Sequence, residues 1–113
     1  MPDCIFCAIA AGDIPSERVL ETDGVVAFRD VNPQAPVHVL VVPKRLVEHV
    51  HAIEPGDPLL GELVDALQRV ADAEGIAGPG YRVVANVGRN GGMSVPHLHF
   101  HVLGGRRLGW PPG

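Results

Sequence analysis

Cysteine is scarce. The chain of 113 residues has two, Cys4 and Cys7, and two thiols that close together do not make the disulfide framework of a small secreted domain. Positive charge is also in deficit. Nine Lys and Arg face thirteen Asp and Glu, a net charge of −4. Bulk attraction to a nucleic-acid polymer or an acidic membrane is therefore not expected. A single nucleotide is not excluded, because a few local donors can hold one phosphate. Long apolar runs are missing too. None approaches the roughly 18 residues of a membrane span, and no basic-then-apolar leader is visible. The expectation is a cytoplasmic protein with no membrane partner. With no repeat, low-complexity tract or linker, residues 1–113 read as one domain. Hydrophobic residues make up 46% and charged residues 19%, which suits a packed core. Dimerisation would help so small a domain bury more surface.

The pattern of what is present suggests α+β. "CIFCAIAAG" reads as a short N-terminal helix ending at Gly12. "SERVLET", "VVAFRD" and the β-branched "VHVLVVP" read as strands. The clearest helix is "DPLLGELVDALQRVADAEG", with Asp57 as N-cap, Pro58 in the first helical position and Gly75 as the stop. Leu60, Leu63, Val64, Leu67, Val70 and Ala71 are expected on its buried face. "YRVVANV" and "HLHFHVL" are two further strands, separated by the glycine-rich "GRNGGMS". The order predicts a mostly antiparallel sheet with one long helix and one short one.

The chemistry concentrates in "VPHLHFHVLGG". Strand residues alternate faces, so His97, His99 and His101 share one face, and Leu98, Phe100 and Val102 share the other. Two neighbouring imidazoles can share a metal ion. All three sharing one is disfavoured, because ~3.3 Å of rise per residue puts the outer α-carbons about 13 Å apart. Nucleophilic attack on phosphorus fits better: a central imidazole attacks while its neighbours hold oxygens and orient the ring. Gly88, Gly91 and Gly92 just before the strand allow backbone N–H groups to approach an anion, and Ser94 adds a hydroxyl.

"HLHFHVL" matches the His-x-His-x-His pattern of the histidine triad superfamily. With "CIFCAIAAGDIPSERVLETD", "AFRDVNPQAPVHVLVVPK", "YRVVANVG" and "VLGGRRLGWPPG", the chain resembles the Hint branch over nearly all its length. The resemblance implies a homodimer that binds purine nucleoside monophosphates. It also implies hydrolysis of P–N bonds in adenosine 5′-phosphoramidates, including AMP joined to a lysine amine. On that basis His99 is the nucleophile that becomes nucleotidylated, and His101 contacts phosphate oxygens. His97 acts through a relay with His38, and Ser94 serves the departing amine. Asn86, Gly92, Met93 and Ser94 match phosphate-binding positions. Asp30 matches the ribose-binding acid, and Val31, Ile5, Phe6, Ile9 and Phe28 match the base pocket. Read without the resemblance, those last five are core residues. Trp110 matches a tail residue near the partner subunit's site.

The sequence departs from the pattern at Met93, where glutamine is common and a thioether donates no hydrogen bond. Pro96 has no N–H to give a ladder. Some bacterial relatives hold zinc through the two cysteines, a histidine after "PK" and the first triad histidine. Here Leu46 stands at the third of those places. No cofactor is required and free thiols are expected, with Cys7 packed on the core. The alternative is zinc on Cys4, Cys7 and His97 with His49 or His51 as fourth ligand. Two other activities stay open: dinucleoside polyphosphate hydrolysis or nucleotidyl transfer, and a non-enzymatic nucleotide-binding or interaction module.

Overall fold

A computed structural model describes residues 4–113. It has two helices and five strands: α1 (Ile5–Ala11), β1 (Arg18–Glu21), β2 (Val25–Arg29), β3 (Val37–Pro43), α2 (Leu59–Ala73), β4 (Arg82–Val84) and β5 (Phe100–Gly104), with a single 3₁₀ turn at Val50–Ala52. The strands form one sheet in the order β1-β2-β3-β5-β4, and every neighbouring pair is antiparallel. The α+β reading from the sequence holds.

The sheet is buried on both faces, which is why β3 is apolar at almost every position. Val25, Ala27, Val39, Val41 and Val102 pack against Leu59, Leu63, Ala66 and Val70 of α2. The alternate residues Val26, Phe28, Leu40 and Val42 pack against Phe6 and Ile9 of α1. The period of two along β2 and β3 thus sends successive side chains into two different cores. His38 shares the parity of Leu40 and Val42, so it lies on the α1 face.

Both helices are capped by side chains the sequence supplies. In α1 the Cys4 sulfur accepts the Cys7 N–H at 3.2 Å, and Gly12 ends the helix with φ 84°. In α2 an Asp57 carboxylate oxygen accepts the Leu59 N–H at 2.9 Å, while Gly75 lies just past the end with φ 72°. The buried stripe of α2 differs from the expected one. Leu60 and Val64 are exposed, and Leu59 and Ala66 take their places.

Two strands are shorter than expected. β4 pairs only with Leu103, Val102 and His101 of β5, and as an edge strand it has no second neighbour to extend it. β5 begins at Phe100 instead of His97. The Leu98 N–H goes to the Val47 carbonyl at 2.6 Å, a loop partner outside the sheet, so the ladder starts after it.

Leu63 is fully buried at the centre of the α2 layer. Leu63→Ala is expected to lower the free energy of unfolding by about 3 kcal/mol, measured by urea denaturation with an unchanged m-value; a loss under about 1 kcal/mol would contradict this packing.

Candidate active site

The register of β3 against β5 distributes the three histidines. Leu40 lies opposite His101, and His38 opposite Leu103. The His101 side chain reaches His38 near the start of β3, and His97, just before β5 begins, meets Pro43 at the end of β3.

His97 is fully buried. One ring nitrogen, Nε2, lies 2.8 Å from the Pro43 carbonyl. A carbonyl only accepts, so Nε2 carries the proton and Nδ1 presents a lone pair. That Nδ1 lies 3.2 Å from the Cys4 sulfur and 3.3 Å from the Cys7 sulfur. Burial holds the His97 pKa below the usual histidine value; the Pro43 hydrogen bond opposes this and the nearby His99 adds to it.

His99 donates from Nδ1 to the backbone carbonyl of His97 at 2.7 Å. Its other nitrogen, Nε2, is then the unprotonated one. It has no hydrogen-bond partner among the described residues, and it is not one of the buried unpaired nitrogens. The edge of the Phe6 ring packs on the imidazole with centroids 4.9 Å apart. His101 lies on another side at 5.1 Å. The ring is thus fixed in place with one lone pair open.

His38 and His101 form a second unit. The Gln34 N–H donates to His38 Nδ1 at 3.0 Å, so the proton of neutral His38 is on Nε2. That nitrogen lies 2.9 Å from His101 Nδ1 and 3.4 Å from an Asp30 carboxylate oxygen. When His38 donates to His101 Nδ1, the His101 proton must be on Nε2. Burial lowers the His38 pKa, with Asp30 opposing. Burial, with His99 and His38 adding to it and Asp30 opposing, pushes His101 down to about 4. His101 is therefore neutral near pH 7, and the relay from Gln34 gives it an outward N–H. The resemblance implied a relay between His97 and His38; the structure pairs His38 with His101 instead, because the antiparallel register puts His97 at the far end of β3.

The remaining candidates divide into groups. Asp30 accepts the Asn32 N–H at 2.8 Å and faces His38. Phe6, Ile9 and Phe28 are buried in the α1-face core, and of these Phe6 also touches His99. Ile5 and Val31 are exposed, Val31 fully, so no pocket encloses them. Gly92 has φ 76° in the turn before the triad, where Gly92 N–H bonds to Arg89 and Met93 N–H to Gly88. A side chain at Gly91 would collide with the Val87 backbone. Ser94 is exposed and Asn86 half-buried at the edges of this loop. Trp110 is exposed, with the Arg82 guanidinium 6.0 Å from its ring centre and Arg82 donating to the Gly109 carbonyl at 2.7 Å. The tail thus folds back on the start of β4. Sequence reasoning missed Pro43 and Gln34, which act through backbone groups that carry no side-chain signal. It also missed Arg106, which donates to the Gln34 carbonyl at 3.1 Å.

Two groups of donors are close enough to hold a metal ion among the described residues: Cys4, Cys7 and His97, and Asp30, His38 and His101. Neither includes two triad histidines. Cys4 and Cys7 are joined in a disulfide, which corrects the expectation of free thiols; both are only half-buried. Neither His49 nor His51 joins the cysteine cluster. A structural zinc takes four converging donors; among the described residues three converge here, Cys4, Cys7 and His97.

The HIT domain family matches residues 11–108, and the chain belongs to this family of histidine triad proteins. Among curated relatives, it is 48% identical over 112 residues to an uncharacterized HIT-like protein of Synechococcus elongatus, covering 98% of this chain and 97% of that protein. It is 43% identical over 108 residues to the purine nucleoside phosphoramidase of Escherichia coli, covering 95% and 91%. Among solved structures, a HIT family hydrolase from Legionella pneumophila superposes with a TM-score of 0.94 at 43% identity, covering 98% of this chain and all of that one. A histidine triad protein from Clostridium difficile gives 0.92 at 42% identity, covering 96% of each chain.

The lowered histidines set a pH dependence of stability. Below pH 6.5 the unfolded chain protonates its histidines, while His38, His97 and His101 in the folded chain resist. The unfolded state then binds more protons, so stability falls as pH falls from about 6.5 toward about 4. Glu21 and Asp57, also lowered by their hydrogen bonds and ion pairs, act in the same direction, but only within and below the ordinary carboxylate range. Urea midpoints measured from pH 7 to pH 4.5 should decline in wild type and decline less in His101→Gln; equal slopes would contradict the assigned shift.

Proposed function

We propose that the chain is a purine nucleoside phosphoramidase, hydrolysing the P–N bond of adenosine 5′-phosphoramidates such as AMP joined to a simple amine or to lysine. The observation that carries the reading is the His99 imidazole, held by the His97 carbonyl in the tautomer that leaves Nε2 open. The 43% identity to a purine nucleoside phosphoramidase over most of both chains supports the choice of substrate.

His99 Nε2 attacks the α-phosphorus and forms a P–N bond to the ring. The bond from phosphorus to the substrate amine breaks, and its electron pair goes to that nitrogen. An amine leaves only if it is protonated. The exposed Ser94 hydroxyl, on the rim of the glycine-rich loop, is suited to pass that proton. Charge on the phosphoryl oxygens is met by the His101 N–H and by the Ser94 backbone N–H, since the Gly92 and Met93 N–H groups are held by the Arg89 and Gly88 carbonyls. Water then attacks phosphorus, the bond to His99 breaks, and AMP is released with the imidazole restored. In this reading Asp30 accepts from ribose hydroxyls. Every step uses a group of this chain, so the reading assigns no role to a cofactor.

The active form is proposed to be a homodimer, and the cytoplasm its place of work. β4 is an edge strand with Val83 exposed, and Tyr81 just before it is exposed too. Apolar side chains on an unpaired strand edge suit a second copy of the chain. Sedimentation at twice the 12.0 kDa chain mass is the expected result; a monomer at micromolar concentration would contradict it.

His99→Ala is expected to lower kcat on an AMP–amine conjugate by at least about 10³-fold, assayed by AMP release, while AMP binding changes little. Equal turnover by the variant would contradict the assigned nucleophile. Faster cleavage of diadenosine polyphosphates than of phosphoramidates would move the assignment to that substrate class.

A further inference from the structure

We propose that Cys4 and Cys7 form a thiol–disulfide exchange site, open to low-molecular-weight dithiols and disulfides, whose state reaches the nucleophile through His97.

The argument rests on counting donors around one buried ring. His97 Nε2–H is committed to the Pro43 carbonyl, so Nδ1 needs a donor. The atoms facing it are the two sulfurs, at 3.2 and 3.3 Å. In the disulfide those sulfurs carry no hydrogen, and a fully buried nitrogen lone pair faces two others. Reduction creates two S–H groups, and either can donate to Nδ1. The opposite tautomer gives no escape, since it would set a bare Nε2 against the Pro43 oxygen. An unpaired buried acceptor is costly, so His97 fits its cavity better when the pair is reduced.

His97 passes this on in two ways. Its carbonyl is the acceptor for His99 Nδ1–H at 2.7 Å, so displacing His97 displaces the partner that fixes the nucleophile's tautomer. The same cysteines also bracket the first turn of α1, where Phe6 packs on the His99 ring at 4.9 Å. The pair is reachable, because both cysteines are only half-buried.

The exchange balances without a metal or an external oxidant. A reducing dithiol attacks one cysteine sulfur as thiolate, and the S–S bond breaks. The other cysteine leaves as thiolate and takes a proton. The second thiolate of the reagent then displaces the mixed disulfide, so two protein thiols form as the reagent gains one disulfide. Excess oxidised reagent drives the reverse.

The link to turnover rests on the phosphoramidase reading; the exchange site and its effect on His97 do not. The test equilibrates the full chain in buffers of oxidised and reduced dithiothreitol across a range of ratios. Reactive thiols are counted, the histidine side chains are followed by NMR, and AMP–amine turnover is measured. The thiol count should rise from zero to two per chain. The His97 ring signals should move with the same midpoint while those of His49 and His51 stay. Reduction should raise kcat about tenfold, the factor that about 1.4 kcal/mol corresponds to, with KM changing less. The unfolding midpoint is not the readout, because closing a short loop and leaving a buried nitrogen unpaired act in opposite directions.

A double Cys4→Ala, Cys7→Ala variant should hold the lower kcat at every ratio. Should its NMR spectrum show it unfolded, the single Cys7→Ser variant, which keeps a hydroxyl donor beside His97, should hold the higher kcat at every ratio. A thiol count that never changes, or His97 signals blind to the ratio, would overturn the proposal. So would stoichiometric zinc in the reduced protein. If the His97 signals follow the ratio but no phosphoramidate is turned over, the exchange site stands and the substrate reading is what fails.

Discussion

The hydrogen bond from His99 Nδ1 to the His97 carbonyl, at 2.7 Å, is the constraint on which the rest of the site depends. Neutral imidazole has one bare nitrogen, and which one it is decides whether the ring can attack. A backbone carbonyl cannot donate, so this contact leaves a single answer. The carbonyl in turn is held because the His97 ring is locked to Pro43 and the Leu98 N–H to Val47. Both locks require the chain at residues 97–99 to leave the sheet. The interruption of β5 before Phe100 is thus part of how the nucleophile is aimed.

The same reasoning divides three identical residue types into three roles. His97 is buried and supplies its backbone. His99 has an open lone pair. His101, neutral near pH 7, receives its proton assignment from Gln34 through His38. Antiparallel pairing produces this division, because β3 and β5 run in opposite directions and bring opposite ends of the triad to different neighbours. The fold contributes the two cores that stiffen β3 from either face, so that Pro43 and His38 stay at fixed separation.

Much of this is readable in the chain. The alternation in "HLHFHVL" separates the histidines from Leu98 and Val102, and the alternation in "VHVLVVP" puts His38 on the face of Leu40 and Val42. Caps at Asp57 and Gly75 bound the long helix to within two residues. What the sequence leaves out is register. Neither strand alone says that Leu40 faces His101, and so neither says which triad histidine meets His38. Backbone partners such as the Pro43 carbonyl and Gln34 N–H are equally silent, since any residue type supplies them. On α2 the apolar residues are too many for one stripe. Periodicity therefore does not distinguish Leu59 and Ala66, which are buried, from Leu60 and Val64, which are not.

The central claim concerns which nitrogen of one ring carries a proton. Nitrogen-15 NMR of the histidine side chains at neutral pH reads this directly. The account predicts that His99 shows a protonated Nδ1 and a bare Nε2, with a scalar coupling from Nδ1–H to the His97 carbonyl carbon. A His99 protonated on Nε2, or one exchanging freely between the two forms, would contradict it.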